Sequence, residues 1–176
     1  ARNSKCEPFA SLPVSYQILT EMKCANGGRN RFFSAFKEIT PDDKAIFFAR
    51  AWPNLLVRAA AESFERIKRK ANCQAKIQYG LRTIAQQYYT CISCGNAPCG
   101  APGRSDHHAG VSLDIQVCGN WKQLLLAEGW KWTYGSWDEV HYDYKGAGAY
   151  DVSWGTIKAE QINAFKRLWS RNNPSR

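Results

Sequence analysis

Several things are missing from this chain of 176 residues. No apolar run approaches the roughly 20 residues that a membrane-spanning helix needs, which argues against helical insertion into a bilayer. No internal repeat and no low-complexity linker divides the sequence, so one domain is expected, acting as a monomer. The basic–aromatic pattern of a nucleic-acid-binding module is absent too, so no nucleic-acid partner is expected. Nor does the N-terminus show a signal-peptide pattern, so an exported form would have lost its leader.

What is there is ordinary in bulk: 44% hydrophobic and 22% charged residues, in a chain long enough to bury a real core. The net charge of +9 is less ordinary. It suits a polyanionic partner such as nucleic acid, anionic lipid, or the teichoic acids and carboxylates of a bacterial wall, and charge alone does not choose among them. Arg66, Lys68, Arg69 and Lys70 form the one tight basic run and read as a solvated helix face. Seven cysteines point to disulfides and an extracytoplasmic protein, secreted or periplasmic, with one thiol left over. The competing reading makes Cys91-x-x-Cys94 and Cys99 a structural zinc knuckle, with Cys118 or His108 as fourth ligand. A single dyad where such knuckles usually have two favours disulfides.

Along the chain, residues 1–40 read as a cysteine-stapled arm containing Cys6 and Cys24, with a short helix around Tyr16 to Met22. Residues 41–176 then form the main domain. A helix is expected near Pro41-Asp42-Asp43, where acids suit the first turn. A second opens at Pro53, with Leu55, Leu56, Ala59, Ala60, Phe64 and Ile67 as its apolar stripe. A strand follows over Gln74 to Tyr79, then a short helix from Arg82 to Tyr89 and a loop from Thr90 to Gly103. Val111, Leu113 and Ile115 alternate with Ser112, Asp114 and Gln116, the period of a half-buried strand. After it come a helix over Trp121 to Glu128 stopped by Gly129, strands Trp130 to Tyr134 and Val140 to Tyr144, and a helix over Thr156 to Ser170. Ile157, Ala164, Phe165, Leu168 and Trp169 share one face of that last helix. Helices followed by a small antiparallel sheet make an α+β domain.

Two of the three histidines lie in Ser105-Asp106-His107-His108-Ala109-Gly110-Val111-Ser112-Leu113-Asp114. The third, His141, follows Asp138-Glu139-Val140. Two imidazoles and a carboxylate on neighbouring strands make an open three-ligand zinc site, His107, Asp114 and His141, with a fourth position for water. His108 is expected at the cleft edge or in solvent.

Ser105-x-His107-x-x-Gly110-x-x-x-Asp114, followed by Asp138-x-x-His141, resembles the zinc D-alanyl-D-alanine carboxypeptidase (VanY-like) family of peptidoglycan peptidases, which includes L-alanyl-D-glutamate endopeptidases. Gly80-Leu81-Arg82-Thr83, with Gln87 five residues after Arg82, resembles a third element of that family. The resemblance spans roughly residues 55 to 145. It implies a fold shared with the hedgehog signalling domain, Zn2+ as cofactor and peptidoglycan stem peptides as substrate, cut as a D,D-carboxypeptidase or as an endopeptidase. It implies a catalytic carboxylate at Asp138, with the adjacent Glu139 as rival, and an oxyanion- or carboxylate-binding role for Arg82. Ser105 would orient the motif loop or a metal ligand, and Trp132, Tyr134, Trp137 and Tyr142 would line a cleft or fill the core. The rival reading is a non-catalytic zinc-containing wall- or glycan-binding module of the same fold.

Overall fold

The computed structural model describes residues 12–24, 36–40, 46–48, 54–93, 100–149 and 154–172. Its strands are β1 (Phe36–Glu38), β2 (Ile46–Phe48), β3 (Leu55–Val57), β4 (Ala75–Tyr79), β5 (Ser112–Gln116), β6 (Trp130–Lys131) and β7 (His141–Tyr144). Its helices are α1 (Leu12–Cys24), α2 (Arg58–Lys68), α3 (Ile84–Tyr88), α4 (Trp121–Ala127) and α5 (Trp154–Asn172). The larger sheet runs β2-β4-β5-β7-β6, and β1 pairs with β3 separately. The α+β class therefore holds. The sheet is mixed, however, because β2 lies parallel to β4 while the other pairs are antiparallel.

The expected helix from Pro53 begins later. Leu55, Leu56 and Val57 form β3, in register with Glu38, Lys37 and Phe36, and the Leu55 carbonyl accepts the Leu81 amide. Pairing on both sides of this short apolar run overrides its helical spacing. From Arg58 onward most of the expected stripe is buried, Ala60, Phe64 and Ile67 fully and Ala59 in part, and Ala61 joins it. Phe64 packs on Trp121 and Trp130, with ring centroids 5.4 and 6.3 Å away. The basic run is less solvated than its composition suggests. Lys68 is buried, its ammonium held by the Thr40 carbonyl and Glu65, and Arg66 pairs with Glu128 of the turn after α4. The helix start expected at Pro41-Asp42-Asp43 lies outside the described residues.

Within residues 1–40, the helix expected around Tyr16 to Met22 is present as the longer α1. Ile18, Leu19 and Met22 of α1 are buried in the same core as the sheet, and Glu21 receives the guanidinium of Arg171 from α5. Cys24 is a free, exposed thiol, so it staples nothing; Cys6 lies outside the described residues. Cys73–Cys118 is a disulfide that ties the entry of β4 to the exit of β5, and Cys91 is also disulfide-bonded. On α5 the packed face is Ile157, Gln161 and Ala164, whereas Phe165 and Trp169, expected on it, are 47% and 55% exposed.

Candidate metal centre

Two cross-strand pairs on one face of β5 and β7 build the site. Ser112 lies opposite Asp143, and Asp114 lies opposite His141. Side chains two residues apart on a strand share a face, so the four form a small block. His107 joins them from a 3-10 turn over Asp106–Ala109 that precedes β5. Gly110 ends that turn at φ +67°, and a Cβ there would meet the Phe36 ring at 2.6 Å. The glycine of the motif is thus required twice, by backbone conformation and by close packing.

His107 Nε2 and His141 Nδ1 are each 3.1 Å from Asp114 Oδ1 and 3.3 Å from one another. All three residues are buried. The outer nitrogens fix the ring tautomers. His107 Nδ1 donates to the Gly80 carbonyl at 2.7 Å, and His141 Nε2 donates to Asp143 Oδ1 at 2.9 Å. Two imidazole lone pairs and a carboxylate oxygen therefore converge, and they repel unless a positive charge sits among them, a metal ion or a proton. The separations suit a metal. A tetrahedral ion bound at about 2.0–2.1 Å to nitrogen and oxygen places its ligands about 3.3–3.4 Å apart. These residues could hold a metal ion.

The same geometry governs their charges. Burial alone would lower His141, but Asp114 and Asp143 outweigh it and hold the imidazole at about 9. Burial pushes His107 down, with Arg82 and His141 adding to the effect against the pull of Asp114. Burial opposes ionisation of Asp114, yet His107, His141 and Arg82 hold it well below the usual carboxylate range.

Arg82 stands behind Asp114. Its NH2 donates to Asp114 Oδ2 at 2.8 Å and its NH1 to Gln87 Oε1 at 2.9 Å, with the guanidinium 4.4 Å from the Tyr79 ring. Gln87 in turn donates to the Gly100 carbonyl. The arginine and glutamine singled out in the sequence thus contact each other, and the arginine also holds Asp114 of the triad. Thr83 caps α3, its hydroxyl accepting the Gln86 amide while the Gln86 side chain accepts the Thr83 amide.

The expectation for His108 needs correction. His108 is buried and takes part in neither solvent nor cleft edge. Its Nδ1 donates to the Arg82 carbonyl and its Nε2 accepts the Gly103 amide, and burial holds it down at about 4. The chain is helical rather than extended here, so strand alternation mispoints it. With His108 so engaged and Cys118 bonded to Cys73, neither fourth ligand of the zinc-knuckle reading is free for that role. Ser105 supplies its carbonyl to the His108 amide, and its side chain does not cap the turn.

Asp138 and Glu139 occupy the turn leading into His141, where the His141 amide donates to the Asp138 carbonyl. A 3-10 turn spans Gly135–Trp137 just before them, entered with Gly135 at φ +56°. Asp138 is half-buried and Glu139 exposed; the Glu139 carbonyl accepts Trp132 Nε1. The Tyr134 ring lies 4.9 Å from that of His141. Burial raises its phenol, and Asp143, Asp106 and Asp138 raise it further. Of the four aromatics considered for a cleft, Tyr134 and Trp137 are exposed, Trp132 lies under the Lys122 ammonium, and Tyr142 belongs to the core.

The sequence reading missed Asp143. Its carboxylate is 1% exposed and accepts hydrogen bonds from Ser112, Thr133 and His141. A His-x-Asp pair on a strand, which puts both on one face, was the available signal.

No protein-family model matches the chain, and a search of curated proteins finds no match. Among the described residues, no helix is long and apolar enough to cross a membrane.

Proposed function

We propose that this chain is a zinc-dependent peptidase of peptidoglycan stem peptides, related to the VanY-like peptidases that its motifs resemble and sharing their hedgehog-like fold. The observation that carries the reading is the buried His107–Asp114–His141 triad, its ligand atoms 3.1–3.3 Å apart, close to tetrahedral spacing, and its tautomers set from behind. Two neutral imidazole nitrogens and one carboxylate oxygen are a donor set that zinc favours when it is to keep an open position. When bound, zinc supplies Lewis acidity toward a carbonyl oxygen and toward water.

The protein's own residues do the rest. Asp138, beside His141 and half-buried, accepts a proton during attack and returns it to the departing amine. Arg82 holds the outer oxygen of Asp114 and keeps a permanent positive charge next to the reacting centre. Asp138 directly follows the tight turn at Gly135–Trp137, and Tyr134, exposed with its ring 4.9 Å from that of His141, offers a contact for substrate. The disulfides fit an oxidising, extracytoplasmic setting, and the +9 charge fits retention on an anionic wall.

Incubating zinc-loaded protein with purified muropeptides and weighing the products tests this directly. Release of a terminal D-alanine, or cleavage within the stem, is expected. Asp138→Asn should lower turnover by a factor on the order of 10² to 10⁴ with zinc retained, and Glu139→Gln by much less. The reverse ranking would make Glu139 the base. Absence of cleavage by the intact protein, with wall binding preserved, would replace the peptidase with a binding module.

A further inference from the structure

We infer that Asp143 is a positioning residue for the metal: it selects which nitrogen of His141 faces the ion and so sets how tightly the ion is held. The inference rests on the metal-binding reading above and is independent of whether the site cleaves anything.

The sheet register makes the arrangement. Asp143 is two residues from His141 on β7 and directly opposite Ser112 on β5, so it lies on the ligand face, one step back. Its Oδ1 accepts both the Ser112 hydroxyl, at 2.5 Å, and His141 Nε2, at 2.9 Å; its Oδ2 accepts the Thr133 hydroxyl at 2.6 Å. Lys145 Nζ approaches Oδ2 to 4.0 Å. Ser112, Thr133 and Lys145 thus fix the carboxylate before His141 meets it, and both oxygens are used.

A carboxylate can only accept at His141 Nε2, so the proton must stay on Nε2 and the lone pair on Nδ1. Nδ1 is the atom that faces His107 and Asp114. Hydrogen bonding to a carboxylate also makes the imidazole a stronger donor toward a metal. His107 is held the opposite way round, its Nδ1 proton directed at the Gly80 carbonyl. The two histidines therefore meet the ion through different nitrogens, and only the His141 support carries charge.

Asp143→Asn is the deciding variant. An amide can turn its NH2 toward Nε2, which moves the ring proton to Nδ1 and points it at the ion, a fault that shape alone does not introduce. Zinc dissociation constants, measured by competition with a chromophoric chelator, should rise about 10- to 100-fold in Asp143→Asn. Thr133→Val, which removes one support and leaves the His141 contact, should change affinity much less. Equal affinity in Asp143→Asn and wild type would overturn the inference, as would a Thr133→Val loss as large as that of Asp143→Asn. Long-range proton–nitrogen spectra of zinc-loaded wild type add a check that needs no variant. His141 should carry its proton on Nε2 and His107 on Nδ1; the opposite assignment for His141 would refute the proposed role. Failure of the wild type to bind zinc at all would instead reject the metal-centre reading.

Discussion

Leu113 and Ile115 point from β5 into the apolar core, while Ser112 and Asp114 point from the same strand among histidines, an arginine and a second carboxylate. Burial does not distinguish the two faces: the first pair are 0% exposed, and the second 0% and 7%. What differs is how each face is stabilised. The apolar face gains from removing area from water and tolerates any filling of the right volume. The polar face must match donors to acceptors group by group, because each unpaired buried polar atom is costly. A strand with one core face and one site face is thus as buried as a strand in the middle of a large protein, for opposite reasons.

The contrast can be broken most severely at Arg82. On the polar face, removing one partner of a buried ion pair leaves the other uncompensated, which destabilises by about 3–5 kcal/mol. Arg82→Met should show a loss of that size in denaturant unfolding of the metal-free protein, because Asp114 Oδ2 and Gln87 Oε1 lose their donors together. Zinc at Asp114 would supply part of the missing positive charge, so the loss should shrink when the metal is present. An equal loss with and without zinc would show that Arg82 supports packing alone and is not coupled to the ligand.

Some of this was legible in the sequence and some was not, and the division follows the two faces. Period-two alternation located β5, and histidine and carboxylate spacing located His107, Asp114 and His141, because such residues are scarce and their combination is chemically narrow. The same alternation predicted a half-buried strand, since it cannot tell a polar face covered by partners from one covered by water. His108 was misplaced because a 3-10 turn replaced the extended chain assumed for it. Asp143 was missed because its role depends on Ser112 and Thr133, which reach it from another strand and from the turn after β6. Leu55 and Leu56 fit a helical stripe by spacing, and only pairing with β1 on one side and with Leu81 and Gly110 on the other decides for strand. Phe165 and Trp169 have helical spacing too, yet the packed stripe of α5 is turned toward Ile157, Gln161 and Ala164.

A second way to sharpen the comparison is pH, to which the apolar face is indifferent. His141 is raised from an ordinary 6.5 to about 9 by Asp114 and Asp143, against burial. A raised folded-state value stabilises fully below the unfolded value and loses that contribution as pH climbs through the folded one. Metal-free protein should therefore weaken between pH 6.5 and 9, by on the order of 3 kcal/mol. Asp114 and Asp143, both depressed, act in the other direction and only in acid, as pH falls below the ordinary carboxylate range. Urea midpoints across this range should fall for the metal-free form and stay nearly level for the zinc-loaded one, in which His141 has no proton to lose from Nδ1. A flat profile without metal would mean that the histidine is not charged in the folded protein.

The smallest effect separates the faces most cleanly. A ligand that binds only the folded state stabilises it by about 2.7 kcal/mol when present at 100 times its dissociation constant. Leu113→Ala should lower stability by about 3 kcal/mol through the cavity it opens, but the zinc increment should survive, because no ligand atom or tautomer support has been removed. His107→Ala should abolish the increment at any modest zinc concentration while the Cys73–Cys118 disulfide and the apolar core keep the chain folded. Calorimetric midpoints with and without zinc for both variants give the four numbers required. Loss of the increment in Leu113→Ala would show that a repacked core shifts β5 enough to spoil the ligand spacing of 3.1–3.3 Å, and the two faces would then be one mechanical unit. Its survival would show that the backbone pairing of β5 with β7 holds the ligands in place independently of what fills the other side.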